Sequence, residues 1–259
     1  MRKIRFLYKF FQHVLTARNT KGHGIHSPYL FQLAQFVIYD KSQYYIFSEI
    51  ENLRESLKQD DRIIWVEDYG TGQSRERKVS EITNQSLKQA RYGQMLFKII
   101  NFCKAQNVLE LGTSLGLTTA YMASYSSNIN CVTLEGSTEI AKLAVENLNK
   151  LQINNVKVVT GNIDNTLSET LKRFEKLDFV FIDANHRLPA VYKYFEQCVD
   201  KIHHQSIIVV DDIYLSNEME QAWNMIKNHP KVSSTFDLFQ FGIVFFNHEL
   251  NKYHYKMCY

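Results

Sequence analysis

Little interrupts this 259-residue chain, which holds three prolines and ten glycines. That scarcity leaves no linker, no low-complexity segment and no internal repeat. Four cysteines, Cys103, Cys131, Cys198 and Cys258, lie far apart, without a C-x-x-C pair or histidines at ligand spacing. The pattern excludes a disulfide framework and a zinc site, and reduced thiols imply a cytoplasmic protein. Charge of one sign is lacking too: 30 Lys and Arg against 27 Asp and Glu leave a net +3. With the basic residues scattered, nucleic acid is not an expected partner. The longest apolar runs, "SIIVV" and "GIVFF", have the length of a strand, so no membrane span is expected. The opening "MRKIRFLYKFFQHVL" is basic and apolar in helical alternation, without an uninterrupted apolar region or a small-residue cleavage site. It does not read as a signal peptide. It reads as a helix docked on its own domain or on a second subunit, as in a homodimer, in preference to a membrane surface.

With 45% hydrophobic and 22% charged residues, the composition is that of a globular protein with one core, or a core and an appendage. Residues 1–90 are mainly helical by pattern and form an expected extension or cap; residues 91–259 form the expected main domain. In the first part Ser27 stands at an N-cap with Pro28 at the first helical position. "SEIENLRESL" has the form of a capping box, Ser48 with Glu51. Beyond residue 91, strands "NVLELG", "NCVTLE", "VKVVTG", "FVFIDA" and "SIIVVDD" alternate with amphipathic helices, one of them with Ser137 at its N-cap. Near-continuous apolar strands between such helices predict an α/β fold with a doubly wound, mostly parallel sheet. The last two strands, in "VSSTFDLF" and "FGIVFFN", are too close for a helical crossover and predict an antiparallel hairpin at the sheet edge.

Two stretches compete as the nucleotide pocket: "VEDYGTGQS" and "VLELGTSLGLTTA". In open α/β sheets the ligand lies beyond the carboxyl ends of the strands, on a loop that opens into a helix. The second stretch meets that condition, with Gly112 for the tight turn, Thr113 within the loop and Gly116 for close helix approach. The N–H groups around Leu117 and Thr118 favour an anion. The first stretch leads into the charged "RERKVSE" and reads as a hairpin or irregular turn, with Gly70 and Gly72 at positive φ. The chosen loop lacks the middle glycine of G-x-G-x-x-G, which argues against a dinucleotide. Glu135, ending the second strand, is placed to accept both ribose hydroxyls of a nucleoside. Asn162 and Ile163, after the third, are placed to frame an adenine.

"YGQML", "VLELGTSLGLTTAYMA", "VTLEGS", "FVFIDANHR" and "SIIVVDDIY" together resemble class I S-adenosylmethionine-dependent methyltransferases, in particular the catechol and caffeoyl-CoA O-methyltransferase branch. The resemblance runs from about Tyr92 to the C-terminus. It implies a Rossmann-like sheet of seven strands, S-adenosylmethionine as cofactor and a small-molecule hydroxyl as methyl acceptor. It also implies that Glu110 lies beside the donor's amino group and that Thr118 holds its carboxylate. Glu135 then holds the ribose, with Gly136 leaving room.

Acceptor-side residues are expected at the ends of the fourth and fifth strands, where Asp183, Asn185, His186, Asp211 and Asp212 stand. Three carboxylates, Asp183, Asp211 and Asp212, suit Mg²⁺, although the branch carries Asn at the third position. The alternative is a site without metal, with Asp212 capping the helix near Ser216. Asp183 also counts among the cofactor contacts. The branch's usual lysine base is replaced by His186, a competent base near neutral pH. Two other functions share the fold: a non-catalytic nucleoside-binding protein and a nicotinamide-dependent oxidoreductase.

Overall fold

The computed structural model describes residues 2–70 and 72–259. In chain order the helices are α1 (Arg2–Thr16), α2 (Pro28–Leu33), α3 (Tyr45–Lys58), α4 (Val79–Ser86), α5 (Ala90–Cys103), α6 (Leu117–Ala123), α7 (Thr138–Lys150), α8 (Ile163–Leu171), α9 (Leu188–Val199) and α10 (Asn217–Asn228). The strands are β1 (Ile63–Val66), β2 (Arg75–Lys78), β3 (Asn107–Leu111), β4 (Asn130–Glu135), β5 (Val156–Thr160), β6 (Leu177–Ile182), β7 (Ile202–Asp211), β8 (Ser234–Asp237), β9 (Phe241–Phe245) and β10 (Tyr253–Lys256). The chain forms two compact units, Lys41–Phe174 and, together, Met1–Asp40 with Glu175–Tyr259.

In the unit Lys41–Phe174, β3, β4 and β5 run parallel in that order. Val108, Leu109, Leu111, Val132 and Leu134 are buried along the first two strands, as expected where helices cover both faces of a sheet. On the helical side Phe47 meets Phe97 and Tyr121 at ring-centroid distances of 5.0 and 5.4 Å. The Tyr121 hydroxyl donates to Glu51 Oε1 at 2.8 Å. Gly93 of α5 faces the Tyr121 ring so closely that a methyl group there would overlap it. β1 and β2 form a separate antiparallel hairpin, paired from Ile63 with Lys78 to Val66 with Arg75.

In the other unit the strand order is β10-β8-β9-β7-β6. β6 and β7 are parallel, β9 is antiparallel to both β7 and β8, and β10 is parallel to β8. Trp223 of α10 fills the space above Gly242, where an added Cβ would lie 2.6 Å from the indole. α1 docks on this unit: Phe6 and Phe10 pack edge-on against Phe239 at 5.0 and 5.2 Å. Arg5 and Lys9 pair with Glu220 at 2.9 and 2.7 Å.

Several expectations change. The antiparallel pair β8–β9 forms, but β10 lies outside it, so the two arrays hold eight strands in place of seven. β10 is four residues long, "YHYK", and only Tyr255 is buried; its alternation is too short to stand out. Ser27 caps α2, its Oγ accepting from Leu30 N–H at 3.4 Å. The capping box does not form: α3 begins at Tyr45, and Ser48 lies inside it, donating to Tyr45 O at 2.7 Å. A hydroxyl inside a helix bonds back to the preceding turn when the apolar face extends the helix past it.

Alanine is worth about 1 kcal/mol more than glycine inside a helix, whereas overpacking costs about 1–3 kcal/mol. Gly93→Ala is therefore expected to lower stability on balance, read as a lower urea midpoint. A raised midpoint would show that Tyr121 does not press on α5.

Candidate functional site

The unit Lys41–Phe174 carries one half of the candidate residues. β3 ends in Glu110 and Leu111, and the chain then turns through Gly112 at φ +101°, Ser114 at +49° and Gly116 at +80°. An added Cβ at Gly116 would stand 3.2 Å from the Ala144 Cβ of α7, so the glycine serves both a left-handed turn and a close approach. The loop is tied to the end of β4: Gly112 and Thr113 donate their N–H groups to Leu134 O at 2.9 and 3.3 Å. The Thr113 and Thr133 hydroxyls lie 2.6 Å apart. α6 starts directly after Gly116 with no side-chain cap, and Thr118 stands half-buried in its first turn.

Glu110 is wholly buried. Its Oε2 accepts from the Thr119 hydroxyl and, at 2.6 Å, from the Thr133 hydroxyl. Its Oε1 is buried with no hydrogen-bond partner. Burial pushes this carboxyl up to about 8; the two hydroxyls oppose that shift and the nearby Glu135 carboxyl adds to it.

Glu135 is pushed up by burial as well, against the backbone donors on it. Its Oε2 accepts from Ser114 N–H at 2.8 Å and its Oε1 from Ser137 N–H at 2.9 Å. One carboxylate thus joins the β3–α6 loop to the β4–α7 turn. Beyond β5, Asn162 caps α8, its Oδ1 accepting from Asp164 N–H at 2.9 Å, and Ile163 is buried.

The stretch "VEDYGTGQS" connects the hairpin, with Gly72 at the expected positive φ, +73°, while Gly70 is not among the positive-φ glycines and donates its N–H to Asp68 Oδ1 at 3.0 Å. Its role at the β4–α7 turn was missed. Ser137 was expected to cap α7 with its own side chain. Instead its hydroxyl donates to Glu67 Oε2 at 2.6 Å, and Glu67 also accepts from Thr138 N–H at 3.2 Å. A full carboxylate from the hairpin satisfies the helix start better than a neutral hydroxyl. Next to it, a Cβ at Gly136 would stand 2.9 Å from Tyr69 Cδ2. The room left by this glycine is taken by a tyrosine of the same chain. Glu67 and Tyr69, one residue apart after β1, were the available sequence signal.

The unit containing Glu175–Tyr259 carries the remaining candidates. After β6, Asp183 and His186 come together, with Nε2 3.4 Å from Asp183 Oδ1. Asn185 and His186 both have positive φ, +67° and +51°, and His186 N–H donates to Ala184 O at 2.8 Å. Asn185 Oδ1 is buried without a partner. Asp211, the last residue of β7, is fully buried, while Asp212 is half-buried with φ +52°. Among the described residues no three His, Cys, Asp or Glu side chains group to hold a metal ion. Asp183, Asp211 and Asp212 are not among any such group. Nor does Asp212 cap α10: Ser216 does, accepting from Met219 N–H at 3.1 Å.

Residues 109–213 match a family model described as a methyltransferase domain. A catechol O-methyltransferase of Niastella koreensis is 29% identical over 124 residues, 47% of this chain and 55% of that protein. The match thus spans about half the length of that curated relative. An O-methyltransferase from Bacillus cereus, solved in complex with SAH, superposes with a TM-score of 0.57 at 20% identity over 80% of this chain and 92% of that one. TomG, an O-methyltransferase of Streptomyces achromogenes involved in tomaymycin synthesis and solved with SAM, gives 0.58 at 16% identity over 82% and 93%. The fold is the Rossmann-like α/β fold of these neighbours, and residues 109–213 are similar to a methyltransferase domain. The resemblance to the O-methyltransferase branch read from the sequence is borne out.

A carboxyl that holds its proton more tightly when folded stabilises the fold fully below its unfolded value, here near 4.5, and loses that contribution as pH rises through about 8. The ligand-free protein should lose stability across that window. Glu110→Gln should lose less of it, read from urea midpoints of both proteins at pH 5 to 9. Parallel curves would show that Glu110 ionises freely.

Proposed function

We propose that this protein transfers the methyl group of S-adenosylmethionine to a hydroxyl of a small molecule. Glu110 carries the reading. It is a wholly buried carboxyl with one oxygen lacking a partner, at the position where the resemblance puts the donor's amino group. An ammonium there supplies the missing hydrogen bond and compensates the buried charge. Each Glu135 oxygen already accepts one N–H and keeps lone pairs for the ribose hydroxyls. Gly112, Thr113 and Gly116 shape the loop, and Thr118 in the first turn of α6 receives the donor carboxylate. Gly136, Asn162 and Ile163 lie toward the base; Asn162 Oδ1 is engaged as a cap, which leaves its amide N–H groups to donate. The buried Glu110 carboxyl, raised further by the nearby Glu135, favours a ligand with ammonium and sulfonium charge over the diphosphate of a nicotinamide dinucleotide.

Bound S-adenosylmethionine supplies a methyl group made electrophilic by its sulfonium. The chain has to align the acceptor and remove its proton. His186 is the proposed base, and Asp183 beside its Nε2 orients the imidazole. No step is assigned to a metal at Asp211 or Asp212. The small-molecule acceptor is supported by the names of the catechol O-methyltransferase relative and of TomG. Residues 91–259 are proposed as the cofactor-binding domain and residues 1–90 as its helical cap. Among the described residues no cysteine is in a disulfide, in keeping with a cytoplasmic setting, and no helix is long and apolar enough to cross a membrane.

Calorimetric titration with S-adenosylmethionine and with NAD separates the cofactor readings. The first should bind and the second should not. Glu135→Ala should weaken donor binding at least tenfold, about 1.4 kcal/mol; unchanged affinity would remove the pocket assignment. His186→Ala should lower turnover of a hydroxylated acceptor by about 10²–10⁴ with donor affinity intact. Unaltered turnover would remove His186 as the base.

A further inference from the structure

We infer that Tyr69 is the aromatic platform for the base of the bound nucleoside, delivered to the cofactor site by the β1–β2 hairpin. The inference deepens the proposed methyl-donor reading and rests on it through Glu135. Position is the first support. The ring lies against Gly136, with Cδ2 2.9 Å from where a Cβ would be, directly after the carboxylate proposed for the ribose. A base joined to that ribose therefore has its glycosidic end within reach of this ring.

The second support is the state of the ring. Tyr69 is 53% exposed although it is wedged on the backbone of the β4–α7 turn. A tyrosine serving only as a plug for Gly136 would gain by burying that remaining surface. A flat aromatic with one side packed and the rest open is suited to stacking on a heterocycle.

The third is the way the hairpin is fastened. Glu67 binds the Ser137 hydroxyl and the Thr138 N–H, Trp65 N–H donates to Glu139 Oε2, and Arg62 pairs with Glu146 at 3.2 Å. Every one of these partners is on the β4–α7 turn or on α7 itself. The hairpin therefore moves with the Glu135 turn, and a ring already held in place loses little freedom when ligand arrives. Gly136 fits the same design, since any side chain there would displace Tyr69.

The test titrates wild type, Tyr69→Ala and Tyr69→Phe with S-adenosylmethionine, S-adenosylhomocysteine and adenosine. Tyr69→Ala should lose about ten- to hundredfold affinity for all three, because each carries the base. Tyr69→Phe should stay within about threefold of wild type, since the ring remains. If wild type binds S-adenosylmethionine and Tyr69→Ala binds it equally, Tyr69 is not the platform and the methyl-donor reading stands. If wild type binds adenosine alone, with the Tyr69→Ala loss, the platform stands and the methyl-donor reading falls. If wild type binds none of the three, both fall. Should Tyr69→Ala fail to fold, ring-current shifts of Tyr69 resonances in wild type on adding adenosine decide the matter, and their absence overturns the inference.

Discussion

Two backbone N–H groups, those of Ser114 and Ser137, converge on the carboxylate of Glu135, at 2.8 and 2.9 Å. The loop that leaves β3 and the turn that leaves β4 are both held by this one side chain. Its cost is desolvation, which raises the carboxyl's affinity for protons, and its return is the charge-assisted bonding to main-chain donors. Because the turn is fixed there, Gly136 can present bare backbone, Tyr69 can lie on it, and Glu67 can reach the start of α7. Remove the carboxylate, and loop, turn and hairpin lose their common anchor.

Glu110 complements this arrangement from one strand away. It is paired in register with Thr133 of β4, whose hydroxyl it accepts, and Thr119 of α6 supplies the other donor. Strand, neighbouring strand and following helix each contribute one group to a buried polar cluster. The cluster is incomplete by one hydrogen bond at Oε1, where a buried polar group ordinarily finds a partner. A buried acid kept short of a partner is costly, and the cost is offset when a cation binds. Stability and affinity therefore pull in opposite directions at this position.

The strands β3 to β9, the helices between them and the glycine loop were legible because each follows a strong local period or a turn requirement. Gly112 and Gly116 have the left-handed backbone their places demand. Legibility failed where a partner distant in sequence overrode a local rule. Ser48 and Glu51 spell a capping box, yet the apolar face carries α3 past Ser48 to Tyr45, and Glu51 turns to Tyr121 and Arg54. Ser137 spells an N-cap, yet Glu67 displaces it from that work. The aspartates spell a metal site by residue type, while among the described residues no three such side chains group.

The sequence by itself determined the α/β class, the order of strands and helices, and the acids at the ends of β3 and β4. Periodicity and glycine chemistry act over a few residues and need no tertiary partner to be read. Only the tertiary structure decided which of those acids would be buried, which oxygen would lack a donor, and what would fill the space above Gly136. Those outcomes depend on side chains tens of residues apart meeting in a low-dielectric interior, where one added or missing hydrogen bond alters a carboxyl's proton affinity.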